Sequence, residues 1–142
     1  MIKKITHINI EDDPIRPELD LKWRTINGRE IYGLFNTFDK LQAVVCIARM
    51  TDIPTDIYHL RGQTVASGSI FVAYTLWSYE KGCGSKLIAK LRKEAILMKA
   101  RRLVTLSPLT DMARNFHLKN GAIELATNKK SRNFEYKLLQ SD

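Results

Sequence analysis

Two glycines one residue apart, Gly82 and Gly84, stand between a β-rich run and the clearest helix of the chain, and that junction constrains the fold most. Ser69–Trp77 is dense in β-branched and aromatic residues, which suit a pleated, largely buried surface. From Ser85 to about Ala100 the period changes. Leu87, Leu91, Ala95 and Met98 fall on one helical stripe, while Lys86, Lys90 and Lys93 mark the other face. The connecting string is Tyr79-Glu80-Lys81-Gly82-Cys83-Gly84-Ser85. Glycine lets a backbone turn sharply and come close to a ligand. The first turn of a helix adds free N–H groups and the positive end of its dipole. These are the parts of a pyrophosphate cradle, although a plain glycine-rich β–α turn uses the same residues. Two familiar cradles do not fit. No Gly-Lys-Ser/Thr occurs, and the loop lies past mid-chain without the third glycine of a dinucleotide-binding turn.

Around this junction the chain reads as several strands followed by helix, strand, helix and strand. Ile2–Ile10 is a first strand, broken by Glu11-Asp12-Asp13-Pro14. Arg29–Phe35 and Leu41–Met50 form a hairpin around Asn36–Lys40, and the nearly continuous apolar run Ala43–Ala48 predicts a central strand. Pro54 to Leu60 is ambiguous. Arg102–Ser107 is a strand stopped by Pro108, and a helix runs from Thr110 or Asp111 to Asn120, where Gly121 caps it. Phe134–Leu139 is a last strand, and an early helix is expected without a clear place for it. The order predicts an α/β fold of the α+β kind, a mixed and mostly antiparallel central sheet flanked by helices. At 142 residues, one domain spanning 1–142 is expected.

Composition excludes several function classes. Hydrophobic residues at 44% and charged residues at 27% are an ordinary globular balance, so a disordered chain is not expected. No apolar run is long enough to cross a bilayer, and the start Met1–Ile8 lacks the apolar core of a secretory leader, so a cytoplasmic location is expected. The net charge of +8 raises a nucleic-acid partner. Much of that charge sits on Lys81, Lys86, Lys90, Arg92, Lys93 and the residues up to Arg102, against Glu94 alone. A solvated helix face is the ordinary reading of such a patch, and phosphates of a ligand are another. No nucleic-acid-binding motif accompanies it, so that partner is not favoured. Cys46 lies in an apolar run and is expected to be buried; Cys83 lies between the two glycines. Neither spacing suggests a metal site, and no histidine neighbours Cys83 to make it a nucleophile.

The loop resembles the GNAT motif Arg/Gln-x-x-Gly-x-Gly/Ala, which follows the fourth strand and opens a helix; Gly82 and Gly84 match, and Tyr79 stands where Arg or Gln is usual. Downstream, Thr110, Ala113, His117 and Gly121 take the positions of the Asn-x-x-Ala-x-x-x-Tyr-x-x-x-Gly helix common in GNAT enzymes, with His117 in place of the tyrosine acid. The resemblance implies a GNAT fold and an acyl-CoA such as acetyl-CoA. That donor would lie along Tyr74, Thr75 and Leu76 of the preceding strand and over Lys81, Gly82, Cys83, Gly84, Ser85 and Lys86. Lys86 or Arg92 would meet its phosphates.

A narrower resemblance runs through Ala113-Arg114-Asn115-Phe116-His117-Leu118-Lys119-Asn120-Gly121-Ala122 and Leu106-Ser107-Pro108-Leu109. Both strings are similar to segments of malonyl-CoA decarboxylases, whose catalytic domain has the GNAT fold, and the resemblance implies catalytic roles for Ser107 and His117. Acyl transfer from acyl-CoA to an amine is the expected reaction. Decarboxylation of malonyl-CoA on the same fold is the alternative, and a non-catalytic basic binding module is the third. His117 as a merely buried or capping histidine, and Ser107 as an ordinary residue before proline, are the structural counterparts. Glu30, Glu80 and Asp111 are acidic candidates for a base with no motif behind them. The acceptor and the oligomeric state are not encoded in any motif.

Overall fold

A computed structural model, which describes residues 1–138, arranges seven strands in one mixed sheet in the order β1-β2-β3-β4-β5-β7-β6. In chain order β1 is Ile2–Ile5, β2 Arg29–Phe35, β3 Leu41–Met50, β4 Ile70–Ser78, β5 Arg102–Thr105, β6 Ile123–Thr127 and β7 Arg132–Tyr136. The helices are α1 Ile57–Gly62, α2 Cys83–Leu97 and α3 Asp111–Lys119. All neighbours are antiparallel except β4 and β5, which the helix α2 connects as a parallel pair. Among the described residues no helix is long and apolar enough to cross a membrane.

The apolar run of β3 is central, as its composition demands. Ala43 through Ala48 are each 0% exposed, with Val45 and Ile47 facing one layer and Val44, Cys46 and Ala48 the other. The α2 stripe of Leu87, Leu91 and Ala95 packs on the first face; Leu60 of α1 and Ile8 and Leu19 of the N-terminal segment cover the second. Full burial of such a side chain contributes about 1.5–3 kcal/mol relative to exposure.

The N-terminal segment departs from expectation. β1 ends at Ile5, after which the chain leaves the sheet edge and carries Ile8, 5% exposed, onto the second face. No early α-helix follows, only 3-10 turns at Ile10–Asp12 and Trp23–Thr25. A buried ion pair holds this irregular stretch. Arg24 Nη1 lies 2.7 Å from Asp13 Oδ2, and the same guanidinium donates to the Leu19 and Arg16 carbonyls. Asp13 Oδ1 accepts the amides of Ile15 and Arg16 and the hydroxyl of Thr75 on β4. Backbone groups that a helix would pair internally are paired here by two side chains.

Other boundaries move less. α2 starts two residues before Ser85, because Gly82 in the left-handed region (φ 82°) turns the chain into it directly. β5 stops at Thr105 rather than Ser107, whose backbone turns to bridge Arg132 at the start of β7. The last strand ends at Tyr136, and Leu139 lies outside the described residues. β6 has no counterpart in the sequence reading, since every one of its residues is exposed at the sheet edge.

Candidate active site

β4 and β5 pair only from Ile70 with Arg102 to Ala73 with Thr105; β4 then runs on to Ser78 without β5, paired to β3 only. The strands fork where β4 also bulges. Cys46 pairs Thr75 and Ile47 pairs Ala73, so Tyr74 has no partner on β3. The bulge resets the alternation. Tyr74 packs into the second layer and Thr75 reaches Asp13 on the same side, while Leu76 returns to the α2 side. Arg16 spans the gap, its Nε donating to the Tyr74 carbonyl at 2.9 Å and its Nη2 to the Leu106 carbonyl at 3.1 Å.

A cavity of ≈ 720 Å³ opens at this fork and extends to α2 and α3. That volume suits a ligand of substantial size. Tyr74, Thr75 and Leu76 of β4 line it, as do Lys81, Gly82, Gly84 and Ser85 of the loop. Ser107, just past the end of β5, and His117 of α3 line it too. Two expected residues do not. The Cys83 side chain, 3% exposed, turns into the core beneath α2, and Lys86 points to solvent. Arg92 also serves elsewhere, donating to the Lys137 carbonyl at 2.8 Å and lying over the Tyr136 ring. The cations on the lining are Lys81 and Lys119.

The loop has the backbone of an anion cradle. The Cys83 amide is spent on the Glu80 carbonyl at 3.1 Å, whereas those of Gly84 and Ser85 have no acceptor among the described residues. Gly84 also lets α3 come close, since a Cβ there would stand 3.2 Å from the Phe116 ring. The Tyr79 hydroxyl anchors the loop to Asp12 at 2.6 Å, a use unlike that of a ligand-facing Arg or Gln.

His117 is 8% exposed, between the rings of Phe116 and Phe134, with Nδ1 2.6 Å from the Tyr136 hydroxyl. Burial pushes its pKa down to about 4, so the imidazole is neutral at pH 7, contrary to the near-neutral titration of an exposed histidine. Burial also raises the pKa of Tyr136, which keeps its proton. If Nδ1 carried the hydrogen, the buried phenol would lack an acceptor; the phenol therefore donates to Nδ1, and Nε2–H is what His117 presents to the cavity. Ser107, 4% exposed, has its hydroxyl 2.7 Å from that of Thr105, which accepts the Phe134 amide. Among the described residues no Asp or Glu lines the cavity. Glu30 pairs with Arg49, Glu80 contacts Gln42 and Lys40, and Asp111 is exposed. Among the described residues no cluster of three His, Cys, Asp or Glu is placed to hold a metal ion.

Tyr136, Thr105 and Arg16 have no place in the sequence motifs. A signal for the first existed: Phe134 and Tyr136 are two residues apart on a strand and share a face.

The forked parallel pair in an otherwise antiparallel sheet, with α2 and α3 on one side, is the GNAT fold, found in acetyltransferases and in GNAT-like decarboxylases. The crystal structure of malonyl-CoA decarboxylase from Agrobacterium vitis matches with a TM-score of 0.64 and 19% identity, over 82% of this chain and 35% of that one. This chain thus spans about a third of that protein's length. A Bacillus subtilis acetyltransferase in complex with CoA matches at 0.62 and 13% identity, over 94% of this chain and 93% of its own. The GNAT-like decarboxylase GphF in complex with isobutyryl-CoA matches at 0.63 and 14% identity, over 77% and 78%. No family model and no curated protein matches the sequence.

Proposed function

We propose that this protein binds an acyl-CoA in the forked cavity and transfers the acyl group to an amine. The observation that carries this reading is the fork itself. Beyond Ala73 the edge of β4 has no β5 partner, so an extended, amide-bearing arm can lie along Thr75 to Trp77. The free amides of Gly84 and Ser85, with Lys81 and Lys119, then meet its pyrophosphate. In the transfer, the amine nitrogen attacks the thioester carbonyl, the C–S bond breaks, and the proton lost by nitrogen goes to the departing sulfur. His117 donates a hydrogen bond from Nε2 to charge developing on that sulfur, held in its tautomer by Tyr136. As a neutral imidazole it acts by this bond and not as an imidazolium acid.

Decarboxylation of malonyl-CoA is the second reading, favoured by Ser107 and His117 lining one cavity. Ser107 would hold the carboxylate, and His117 would donate to the enolate left when CO₂ departs. Incubation with acetyl-CoA and malonyl-CoA separately, with and without amines, separates the two. Transfer is expected to release free thiol from acetyl-CoA only when an amine is present. CO₂ from malonyl-CoA without free thiol would move the assignment to decarboxylation. Salt-dependent nucleic-acid binding with neither reaction would leave a basic binding module.

A further inference from the structure

A second cavity, of ≈ 630 Å³, adjoins the fork from the side of Arg16. Its walls are the stretch Thr55–Tyr58 leading into α1 and the turn Asn128–Ser131 between β6 and β7. Side-chain bonds fasten these walls to each other. Ser131 Oγ donates to the Thr55 carbonyl at 2.6 Å, and Asn133 Nδ2 donates to the carbonyls of Pro54 and Thr105.

Arg16 is the unusual group. Its Nε and one Nη2 hydrogen are spent on the Tyr74 and Leu106 carbonyls at the fork, which fixes the guanidinium plane. The end-on edge, Nη1 with the second Nη2 hydrogen, has no partner among the described residues. The neighbouring carboxylate of Asp13 is taken by Arg24. Lys129 and Lys130 also line the cavity, against Asp56 alone, whose Oδ1 already accepts the His59 amide. Burial weakens the hold of Arg16 on its proton, and the charges of Glu18 and Asp13 offset this only in part; neither carboxylate bonds the end-on edge.

We propose that this cavity recognises the carboxylate of the acceptor amine, held end-on by Arg16 between Lys129 and Lys130, with the amino group turned toward the fork. The inference rests on the acyl-transfer reading and narrows it to amines that carry a carboxylate. A planar two-donor edge fits a carboxylate bidentately. The same cation argues against a carboxylate that must leave as CO₂, because pairing stabilises the charge that decarboxylation has to disperse. Arg16 therefore suits a carboxylate that survives the reaction.

The test separates binding from turnover. Protein saturated with coenzyme A is titrated calorimetrically with the standard amino acids and with the amines that lack only the carboxylate, for example leucine against isoamylamine. At least one amino acid should bind tenfold or more tightly than its decarboxylated counterpart. Arg16→Lys, and separately Lys129→Gln with Lys130→Gln on the exposed turn, should each shrink that ratio at least threefold. The lysine side chains make no hydrogen bond or ion pair among the described residues, so the test survives if Arg16→Lys fails to fold. A ratio near one in the wild type, or a preference that the foldable variants leave unmoved, overturns the proposal. The preferred amino acid is then offered with acetyl-CoA. Binding without thiol release would retire the transfer reading and keep the anion pocket; thiol release with carboxylate-free amines alone would do the reverse.

Discussion

Arg24→Ala should lower the free energy of unfolding by about 3–5 kcal/mol, measured by urea denaturation near pH 7. Arg24 is 0% exposed and Asp13 is 2% exposed, so removing the guanidinium strands a carboxylate where water cannot reach it. The Leu19 carbonyl loses its donor as well, and the Arg16 carbonyl keeps only the Leu19 amide. Burial alone would raise the pKa of Asp13, but the Arg16 and Ile15 amides, with Arg24 and Thr75, hold it below the usual aspartate value. The stabilisation is therefore present above the unfolded pKa of about 3.9 and is lost as pH falls through the lower folded value. Since Asp13 also accepts the Arg16 amide and the Thr75 hydroxyl, the loss propagates to both sides of the fork. A loss below about 1 kcal/mol would mean that this pair does not hold the N-terminal segment to the sheet.

His117→Ala should reduce thiol release by about 10²–10³-fold, the range for removing one hydrogen-bond donor from developing negative charge. The pH profile of the wild type carries the finer test. With a pKa of about 4, the imidazole stays neutral through pH 6 to 8, so turnover should show no histidine-dependent fall across neutrality. Activity should instead decline as pH drops toward 4, where the Nδ1 acceptor becomes protonated and its bond to Tyr136 is lost. Stability follows the same group. The unfolded histidine, with a pKa near 6.5, binds a proton that the folded one refuses, so stability falls as pH is lowered from 6.5 to 4, by about 3 kcal/mol in all. His117→Gln should flatten that limb in urea midpoints measured against pH. An unchanged rate in His117→Ala with a verified substrate would make the histidine structural.

Much of the scaffold is legible because its signals are local. The α2 stripe, the apolar run of β3 and the Gly121 cap (φ 96°) each depend on a few adjacent residues, and each stands as expected. The glycine loop and the pair Ser107 and His117 also meet in one cavity. What stays hidden depends on partners far away in the chain. Asp13, Arg16 and Arg24 look like a solvated, strand-breaking stretch, because composition does not distinguish a buried charge network from an exposed one. The fork arises from Ser107 pairing with Arg132 and from the extra residue Tyr74 in β4, neither of which leaves a mark in the apolar pattern. The C-terminal end of α3 would favour a cationic His117, yet Phe116, Phe134 and Tyr136 surround the ring and desolvation dominates.

The most direct test of the acyl-CoA cavity is a calorimetric titration of acetyl-CoA into the wild type and into Ala113→Trp. Ala113 is a half-buried lining residue of α3, so an indole there fills the cavity without entering the core. One acetyl-CoA per chain should bind the wild type, and the folded variant should bind at least tenfold more weakly. Equal affinity in both proteins, or no binding by the wild type, would contradict the assignment of this cavity to acyl-CoA.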